Sequence, residues 1–198
     1  MARKFIVGID EVGRGPIAGP VSVGIVLCRG HLVMDELGDS KVMSESARER
    51  VHAIASDLAT DGFLRFSVFS VSAAVIDKIG IEDALRSAIA QGLKRVAPDP
   101  RTVEVVLDGT LKAPDEYRQQ SLIHGDALVP AISLASVVAK VERDRYMAGA
   151  AHRKYPEYGF NSHKGYGTRT HYEAIRTHGF TPIHRKTFLK NMVVSQHD

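Results

Sequence analysis

Short apolar runs near the start of the chain predict three β-strands. Residues 5–9 form an apolar run typical of a buried strand, and residues 21–28 form a second, largely apolar run, which we expect to return antiparallel to the first. Glycines and prolines between them exclude a regular element. A third strand is indicated by the β-rich stretch 63–69 after Gly62.

Helical spacing of apolar residues dominates the rest of the chain. It predicts helices over 44–58, with Ser44 as N-cap, and over 72–79, 81–96, 132–152 and 168–178. A fourth strand over 103–107 runs into Asp108, and residues 122–123 suggest a short further strand. This order predicts an α/β domain with a mixed sheet and a helical C-terminal extension.

Composition fits one folded domain over residues 1–198, with a helical C-terminal part from about residue 150. Hydrophobic residues make up 44% of the chain and charged residues 25%, which excludes a disordered protein. The single cysteine, Cys28, excludes a disulfide framework and a cysteine-rich zinc site, and we expect it to be a buried, inert thiol. Neither a secretion signal nor a membrane-spanning run is evident, so we expect a cytoplasmic protein that does not engage membranes.

Positive charge is concentrated toward the C-terminus. The net charge is only +3, but from Lys140 onward eleven Lys and Arg residues face five Asp and Glu residues. A basic face of this kind attracts a polyanion such as nucleic acid. The alternative at this point is a solvated cationic tail without a partner.

Acidic residues stand where the predicted strands stop. Asp10 and Glu11 follow the first strand directly, Asp108 follows the fourth, and Asp126 follows Gly125 after the short apolar pair. Carboxylates that converge repel one another unless cations neutralise them, and hard oxygen ligands suit Mg²⁺ or Mn²⁺. A pair of such ions activates water for phosphodiester cleavage. Taken singly, an acid after a strand, such as Asp108, is often a turn residue or a helix cap. Asp10 and Glu11 fit that alternative less well, because adjacent acids at the end of a buried strand carry a desolvation cost.

Two glycine-containing segments are candidates for substrate contacts. The backbone of Gly13-Arg14-Gly15 is accessible to a ligand, and its amides together with Arg14 suit phosphate or sugar oxygens. It lacks the third glycine of a dinucleotide fingerprint, and a plain tight turn is the alternative. Near the C-terminus, Tyr166 lies between glycines and close to Lys164, which suits stacking on a sugar or base with the lysine on phosphate. A tyrosine that closes the core is the alternative there, and Lys41 and Lys140 are further phosphate candidates.

Taken together, these segments resemble the bacterial ribonuclease HII family, the type 2 ribonucleases H. The matching blocks are GIDEVGRGPIAGPV at 8–21, DSK at 39–41, LDG at 107–109, HGDALVPAISLASVVAKVERD at 124–144 and YGFNSHKGYGT at 158–168, with a weaker HRKTF at 184–188. They occur in the family's order and span nearly the whole chain. The combination of the first block with HKGY is highly specific.

The resemblance implies a ribonuclease H-like fold: a five-stranded mixed sheet flanked by helices, with a helical C-terminal part over the substrate. It implies that Asp10, Glu11, Asp108 and Asp126 hold two Mg²⁺ or Mn²⁺ ions, with Asp144 as a runner-up. The Gly13-Arg14-Gly15 segment would contact the ribonucleotide 2′-hydroxyl and adjacent phosphate, largely through backbone groups, and Tyr166 would stack on the next deoxyribose.

The implied substrates are RNA–DNA hybrids and duplex DNA with embedded ribonucleotides, cut by a monomer to give 5′-phosphate and 3′-hydroxyl ends. Two alternatives remain at this point. One is another nuclease of the same fold, such as a junction resolvase, which would not need the glycine segment and Tyr166. The other is a non-catalytic duplex-binding module that uses the basic face.

Overall fold

A five-stranded mixed sheet lies at the centre of the computed structural model, which describes residues 5–29, 32, 43–190 and 192. The strand order is β3-β2-β1-β4-β5. The first three strands are antiparallel neighbours, whereas β4 and β5 run parallel to β1 and to each other. The strands are β1 (Phe5–Val12), β2 (Val21–Arg29), β3 (Leu64–Val71), β4 (Val103–Asp108) and β5 (Gln119–Leu122).

Helices cover both faces of the sheet and continue into the C-terminal part, which confirms the predicted α/β class. Ser44 caps the first helix as predicted, since its hydroxyl accepts a 3.2 Å hydrogen bond from the Ala47 amide. The helices are α1 (Glu45–Thr60), α2 (Ala73–Ile79), α3 (Ile81–Val96), α4 (Gly125–Leu128), α5 (Pro130–Tyr146), α6 (His152–Lys154), α7 (Phe160–His163) and α8 (Arg169–His178). A π-helical turn over Met147–Ala151 joins α5 to α6, and 3₁₀ turns cover Pro100–Thr102, Pro156–Tyr158 and Lys186–Leu189.

Helix α5 lies unusually close to the sheet. Two glycines without side chains permit this, because a Cβ on Gly8 of β1 would collide with the backbone of Ala131, and one on Gly24 of β2 with that of Ala135. Helix α5 and helix α1 cover this face, whereas α3 packs on the opposite one. The close approach brings the polar side of α5 over the end of β1.

The C-terminal part has an apolar cluster of its own. It includes Ile17 and Ala18 from the glycine-rich segment after β1, together with Met147, Phe160 and Ile175. The two regions that the sequence suggests as substrate contacts are therefore packed against each other. No helix among the described residues is long and apolar enough to cross a bilayer.

Several predicted boundaries are wrong. Strand β1 continues through Asp10 and Glu11 to Val12, because its pairing with β2 continues after the last pair with β4, Ile9 with Leu107. Phe63 precedes β3 and is exposed. The short strand lies over Gln119–Leu122, not 122–123, and it shows no apolar pattern because its side chains are only partly buried or exposed at the sheet edge. The long helix begins at Pro130 rather than at residue 132.

Candidate active site

The register between β1 and β4 brings two acidic residues to the same level of the sheet. Ile9 pairs with Leu107 in parallel, and each is followed by an aspartate, Asp10 and Asp108. Both line a pocket of about 280 Å³ at this end of the sheet. The pocket is lined by Asp10, Glu11, Val12, Gly13, Arg14, Gly15, Asp108, Ser136, Lys140 and Tyr166.

Asp10 is the acid most affected by its surroundings. Its side chain is buried, with the residue only 5% exposed, and this burial is the main cause that raises its pKa to about 7. A hydrogen bond from Ser136 of α5 and a 2.8 Å bond from the Glu11 amide oppose the rise, whereas the charges of Glu11 and Asp108 add to it. An ionised Asp10 therefore needs a positive charge nearby.

Glu11 reaches the pocket from the other face of the strand. Successive side chains alternate across a strand, so Asp10 lies toward α5 and Glu11 toward α3. Burial raises the pKa of Glu11, and the positive charge of Arg14, whose Nη1 lies 3.5 Å from Oε1 of Glu11, works against that rise. Arg14 also forms an ion pair with Glu82 at the start of α3.

Asp126 lies near Asp108 but does not line the pocket. The amide of Gly125, the residue before it, donates a 2.7 Å hydrogen bond to Oδ1 of Asp108. Asp126 itself is buried in α4. Within the described ranges, no three His, Cys, Asp or Glu side chains are already spaced to hold one metal ion. The structure thus brings three of the four predicted acids to one pocket and leaves the fourth beside it.

The donor atoms of the pocket fit a hard divalent cation. They are carboxylate oxygens and the Ser136 hydroxyl, with neither thiolate nor imidazole among the lining residues. The raised pKa values of Asp10 and Glu11 indicate negative charge that the protein alone does not balance. Mg²⁺ or Mn²⁺ would balance it.

The Gly13-Arg14-Gly15 segment forms one wall of the pocket, and its two glycines have different functions. Gly13 has φ +86°, and a Cβ there would collide with the side chain of Arg143. Gly15 has no atom within 4 Å of the position that a Cβ would occupy. Gly13 is thus required by the fold, whereas Gly15 leaves space open for a ligand.

Two buried arginines lie behind this wall, where Arg185 binds its carbonyls and Arg143 binds those of residues that follow it. Arg143 of α5 is 1% exposed and Arg185 is 0% exposed, and neither forms an ion pair with a carboxylate in the part of the chain that the structure describes. Burial, with the charge of Arg143 as a second cause, lowers the pKa of Arg185 to about 10. Both guanidinium groups instead donate to backbone carbonyls of residues 13–20 and of Lys164.

Tyr166 lines the opposite wall and is 45% exposed, so the alternative that it closes the core is wrong. The loop that carries Tyr166 is bonded to the glycine-rich segment after β1, since the amides of Ile17 and Ala18 donate to the Gly165 carbonyl at 3.0 and 3.2 Å. The Tyr166 carbonyl lies 2.8 Å from Nδ1 of buried His171. The ring of Tyr166 therefore projects from a fixed backbone.

The histidines behind Tyr166 are neutral. Burial lowers the pKa of His171 and His184 to about 4; the charge of His163 lowers both further, and that of His171 also lowers the pKa of His184. One proton arrangement satisfies their contacts: Nδ1–H of His171 donates to Tyr166, and its Nε2 accepts from Nε2–H of His184, 3.0 Å away. Nδ1 of His184 then accepts from the Thr181 amide at 2.9 Å.

The predicted lysines have different positions. Lys140 lines the pocket, and its Nζ lies 2.9 Å from Asp144, the runner-up acid, which is not among the lining residues. Lys164 does not line the pocket either, although its carbonyl accepts from Arg143. Lys41 lies outside the described residues. Arg143 and Arg185, counted in the basic C-terminal excess, are buried and add nothing to a basic surface.

Comparison with known proteins assigns this pocket to a family. The family model described as Ribonuclease HII matches residues 7–191. A ribonuclease HII from Bacillus mycoides (strain KBAB4) is 42% identical over 191 residues, which cover 96% of this chain and 71% of the relative. The chain belongs to the ribonuclease HII family. It is therefore a ribonuclease H-type endonuclease, of a family that cleaves RNA in RNA–DNA hybrids, and not a non-catalytic duplex-binding module.

Solved structures agree with the fold. The ribonuclease H2 of Pyrococcus horikoshii OT3 superposes with a TM-score of 0.69 at 25% identity, covering 92% of this chain and 93% of that one. Bst-RNase HIII in complex with Mn²⁺ superposes with a TM-score of 0.65 at 16% identity, covering 94% of this chain and 65% of that one. The ribonuclease H-like architecture implied by the sequence resemblance is confirmed.

Sequence reasoning missed four residues at this ribonuclease HII site. Ser136, Glu82, Arg143 and Arg185 support the residues it did identify. Ser136 occupies the buried side of a helix whose small residues suggested packing only. From the sequence, both arginines are predicted to be exposed, because a buried arginine without an acidic partner has no distinctive spacing.

Proposed function

We propose that this ribonuclease HII family member hydrolyses the RNA strand of RNA–DNA hybrids and also cuts at single ribonucleotides embedded in duplex DNA. The products are a 5′-phosphate and a 3′-hydroxyl. The observation that carries the proposal is the pocket in which Asp10, Glu11 and Asp108 lie beside the Gly13-Arg14-Gly15 wall. An acidic centre next to exposed backbone amides suits the cleavage of a phosphodiester beside a sugar hydroxyl.

Asp10, Glu11, Asp108 and Asp126 would hold two Mg²⁺ or Mn²⁺ ions. The raised pKa values of Asp10 and Glu11 and the all-oxygen donor set support this, as does the Mn²⁺ complex of the structurally similar Bst-RNase HIII. When bound, such a pair of ions supplies water activation and stabilises charge on the departing 3′-oxygen. Ser136 would keep the Asp10 carboxylate oriented by its hydrogen bond.

The walls of the pocket would orient the substrate. Amides of the Gly13-Arg14-Gly15 segment would recognise the 2′-hydroxyl and its phosphate, and Tyr166 would stack on the next deoxyribose, which favours an RNA-to-DNA junction. Lys140 and Lys164 would bind phosphates of the substrate, and Lys41 would be a further phosphate contact. Recognition is thus divided between the end of β1 and the C-terminal part of the chain from about residue 150.

The proposed enzyme acts as a monomer. The two walls of the pocket are connected within the chain by the bonds from Ile17 and Ala18 to Gly165. Sedimentation velocity of the active protein with its duplex should therefore give one copy per cut site.

A labelled DNA duplex with one ribonucleotide tests the activity. We expect one cut at the ribonucleotide with Mg²⁺ or Mn²⁺ and none with chelator, while an all-DNA duplex and an all-DNA four-way junction stay intact. Asp10→Asn should lose the cut, and Asp99→Asn, at an exposed carboxylate outside the pocket, should keep it. Preferential cutting of the four-way junction, or cutting that survives chelation, would refute the proposal.

A further inference from the structure

Arg185 binds the backbone of the pocket wall through all three guanidinium nitrogens. Its Nη2 donates to the Gly13 carbonyl at 2.6 Å, Nη1 to the Arg14 carbonyl at 3.0 Å, and Nε to the Gly19 carbonyl at 3.0 Å. Arg185 lies outside the lining of the pocket and touches none of its acids. Its contacts are therefore with the wall and not with the reacting groups.

These bonds fix the direction of two amides. In a planar trans peptide the N–H lies opposite the C=O of the same unit. The Gly13 carbonyl shares its peptide with the Arg14 amide, and the Arg14 carbonyl shares its peptide with the Gly15 amide. Because Arg185 holds both carbonyls toward the interior, both amides face the pocket. Neither amide donates to another group in the described part of the chain.

Arg185 is itself fixed from several sides. Its own amide donates to the Ile17 carbonyl at 2.8 Å, and its guanidinium carbon lies 5.1 Å from the centre of the Phe188 ring. The next two amides, of Lys186 and Thr187, donate to Asp77 on α2 at 2.8 and 3.0 Å. The guanidinium is therefore placed by the fold and not by the substrate.

We propose that Arg185 is the positioning residue for ribonucleotide recognition: by holding the carbonyls of Gly13 and Arg14, it directs the Arg14 and Gly15 amides at the substrate's 2′-hydroxyl and phosphate. The inference rests on the proposed function. A buried positive charge directly behind these peptides also favours the negative phosphate in front of them. Lysine cannot replace this function, since its single ammonium lacks the planar fork that reaches two successive carbonyls.

Arg143 provides a matched control. It is equally buried and also donates to three carbonyls, those of Ala18, Pro20 and Lys164. None of these shares a peptide with the Arg14 or Gly15 amide. Loss of Arg143 should destabilise the same region without turning the two recognition amides.

The test measures binding preference without turnover. In an Asp10→Asn background with Mg²⁺, Kd is measured for a duplex with one ribonucleotide and for the all-DNA duplex of the same sequence. Arg185→Lys should reduce the preference for the ribonucleotide by about tenfold, the factor expected for one lost hydrogen bond. Arg143→Lys, compared at a temperature that gives the same folded fraction, should keep it.

Any of three results overturns the inference: Arg185→Lys keeps the preference for the ribonucleotide duplex, both lysine variants lose it equally, or the Asp10→Asn parent shows none. Wild-type protein that does not cut at the ribonucleotide refutes the proposed function instead.

If Arg185→Lys does not fold, the amide resonances of the Asp10→Asn protein answer the question. Those of Arg14 and Gly15 should shift more with the ribonucleotide duplex than with all-DNA duplex, whereas those of Ala18 and Gly19, already bonded to protein carbonyls, should not. Equal shifts with both duplexes at Arg14 and Gly15 overturn the inference.

Discussion

Ile9 and Leu107 are register partners in the parallel pair of β1 and β4, and each is followed directly by an aspartate. The pairing of these strands stops there, but β1 continues along β2 to Val12. Asp10 and Asp108 are therefore held by regular strand backbone and still face an open pocket. A rigid backbone that places like charges side by side is what makes the site dependent on a cation.

Asp10→Asn should abolish cleavage and stabilise the metal-free protein. Because the folded-state pKa of Asp10 is raised from 3.8 to about 7, its contribution to stability is complete below pH 4 and is lost as the pH rises through 7. The amide cannot ionise, so at pH 8 without metal the variant should gain about 4 kcal/mol in free energy of unfolding. Urea unfolding at pH 8 with chelator measures this. An Asp99→Asn control should show no gain, and a variant less stable than wild type would contradict the account of Asp10.

The two pocket glycines should respond differently to alanine. Gly15→Ala places a methyl group in open space, so the melting temperature should stay unchanged while activity on a ribonucleotide duplex falls about tenfold or more. Gly13→Ala forces a side chain into positive φ and against Arg143, and should cost about 2 kcal/mol in stability. Thermal melts and cleavage rates of both variants provide the comparison. Full activity of Gly15→Ala would mean that the substrate does not approach this wall.

Tyr166→Phe and Tyr166→Ala separate stacking from hydrogen bonding. Tyr166 projects from a fixed backbone and is 45% exposed, so its ring is available to a sugar. Phenylalanine retains the ring and should stay within about threefold of wild type, whereas alanine should lose about tenfold in kcat/KM at an RNA-to-DNA junction. Steady-state cleavage of a single-ribonucleotide duplex measures both. Equal losses in the two variants would assign the function to the hydroxyl instead.

Stability should fall in mild acid because of the histidines behind Tyr166. The pKa of His171 and His184 is lowered to about 4 in the folded state, so their contribution is complete above pH 6.5 and is lost as the pH falls toward 4. Between pH 7 and pH 5 each should cost about 2 kcal/mol in free energy of unfolding. Urea unfolding at the two pH values tests this in the presence of chelator.

The matched variants for that measurement are His171→Asn and His124→Asn. Asparagine at 171 keeps a donor for the Tyr166 carbonyl but does not titrate, so the loss between pH 7 and pH 5 should become smaller. His124 is exposed and has φ 57°, which asparagine tolerates, and its replacement should leave the loss unchanged. An undiminished loss in His171→Asn would contradict the assignment.

The sequence predicts the elements whose burial leaves a pattern in it. Strand β2 is mostly apolar and buried, and α3 buries residues three and four apart, so their bounds are confirmed almost to the residue. Strand β5 has no such pattern because it is a short edge strand with polar side chains. The C-terminal part of the chain is divided into short helices whose ends depend on left-handed residues such as Gly159 and Lys164.

The residues of the site also fall into those that the sequence predicts and those that it does not. Carboxylates beside apolar runs are visible in the sequence, and so are glycines in a segment without regular structure. The function of Arg185 is not visible, because it arises from a contact with carbonyls more than 160 residues earlier in the chain. The position of Asp126 beside the pocket rather than in it depends on α4, whose single turn leaves no periodicity.

Anomalous scattering from crystals of the protein grown with Mn²⁺ tests the central claim most directly. We predict two peaks in the pocket, both within coordinating distance of the Asp10 carboxylate, with Glu11, Asp108 and Asp126 completing the ligands. Peaks that lie away from Asp10, or a pocket without manganese at saturating concentration, would contradict the account.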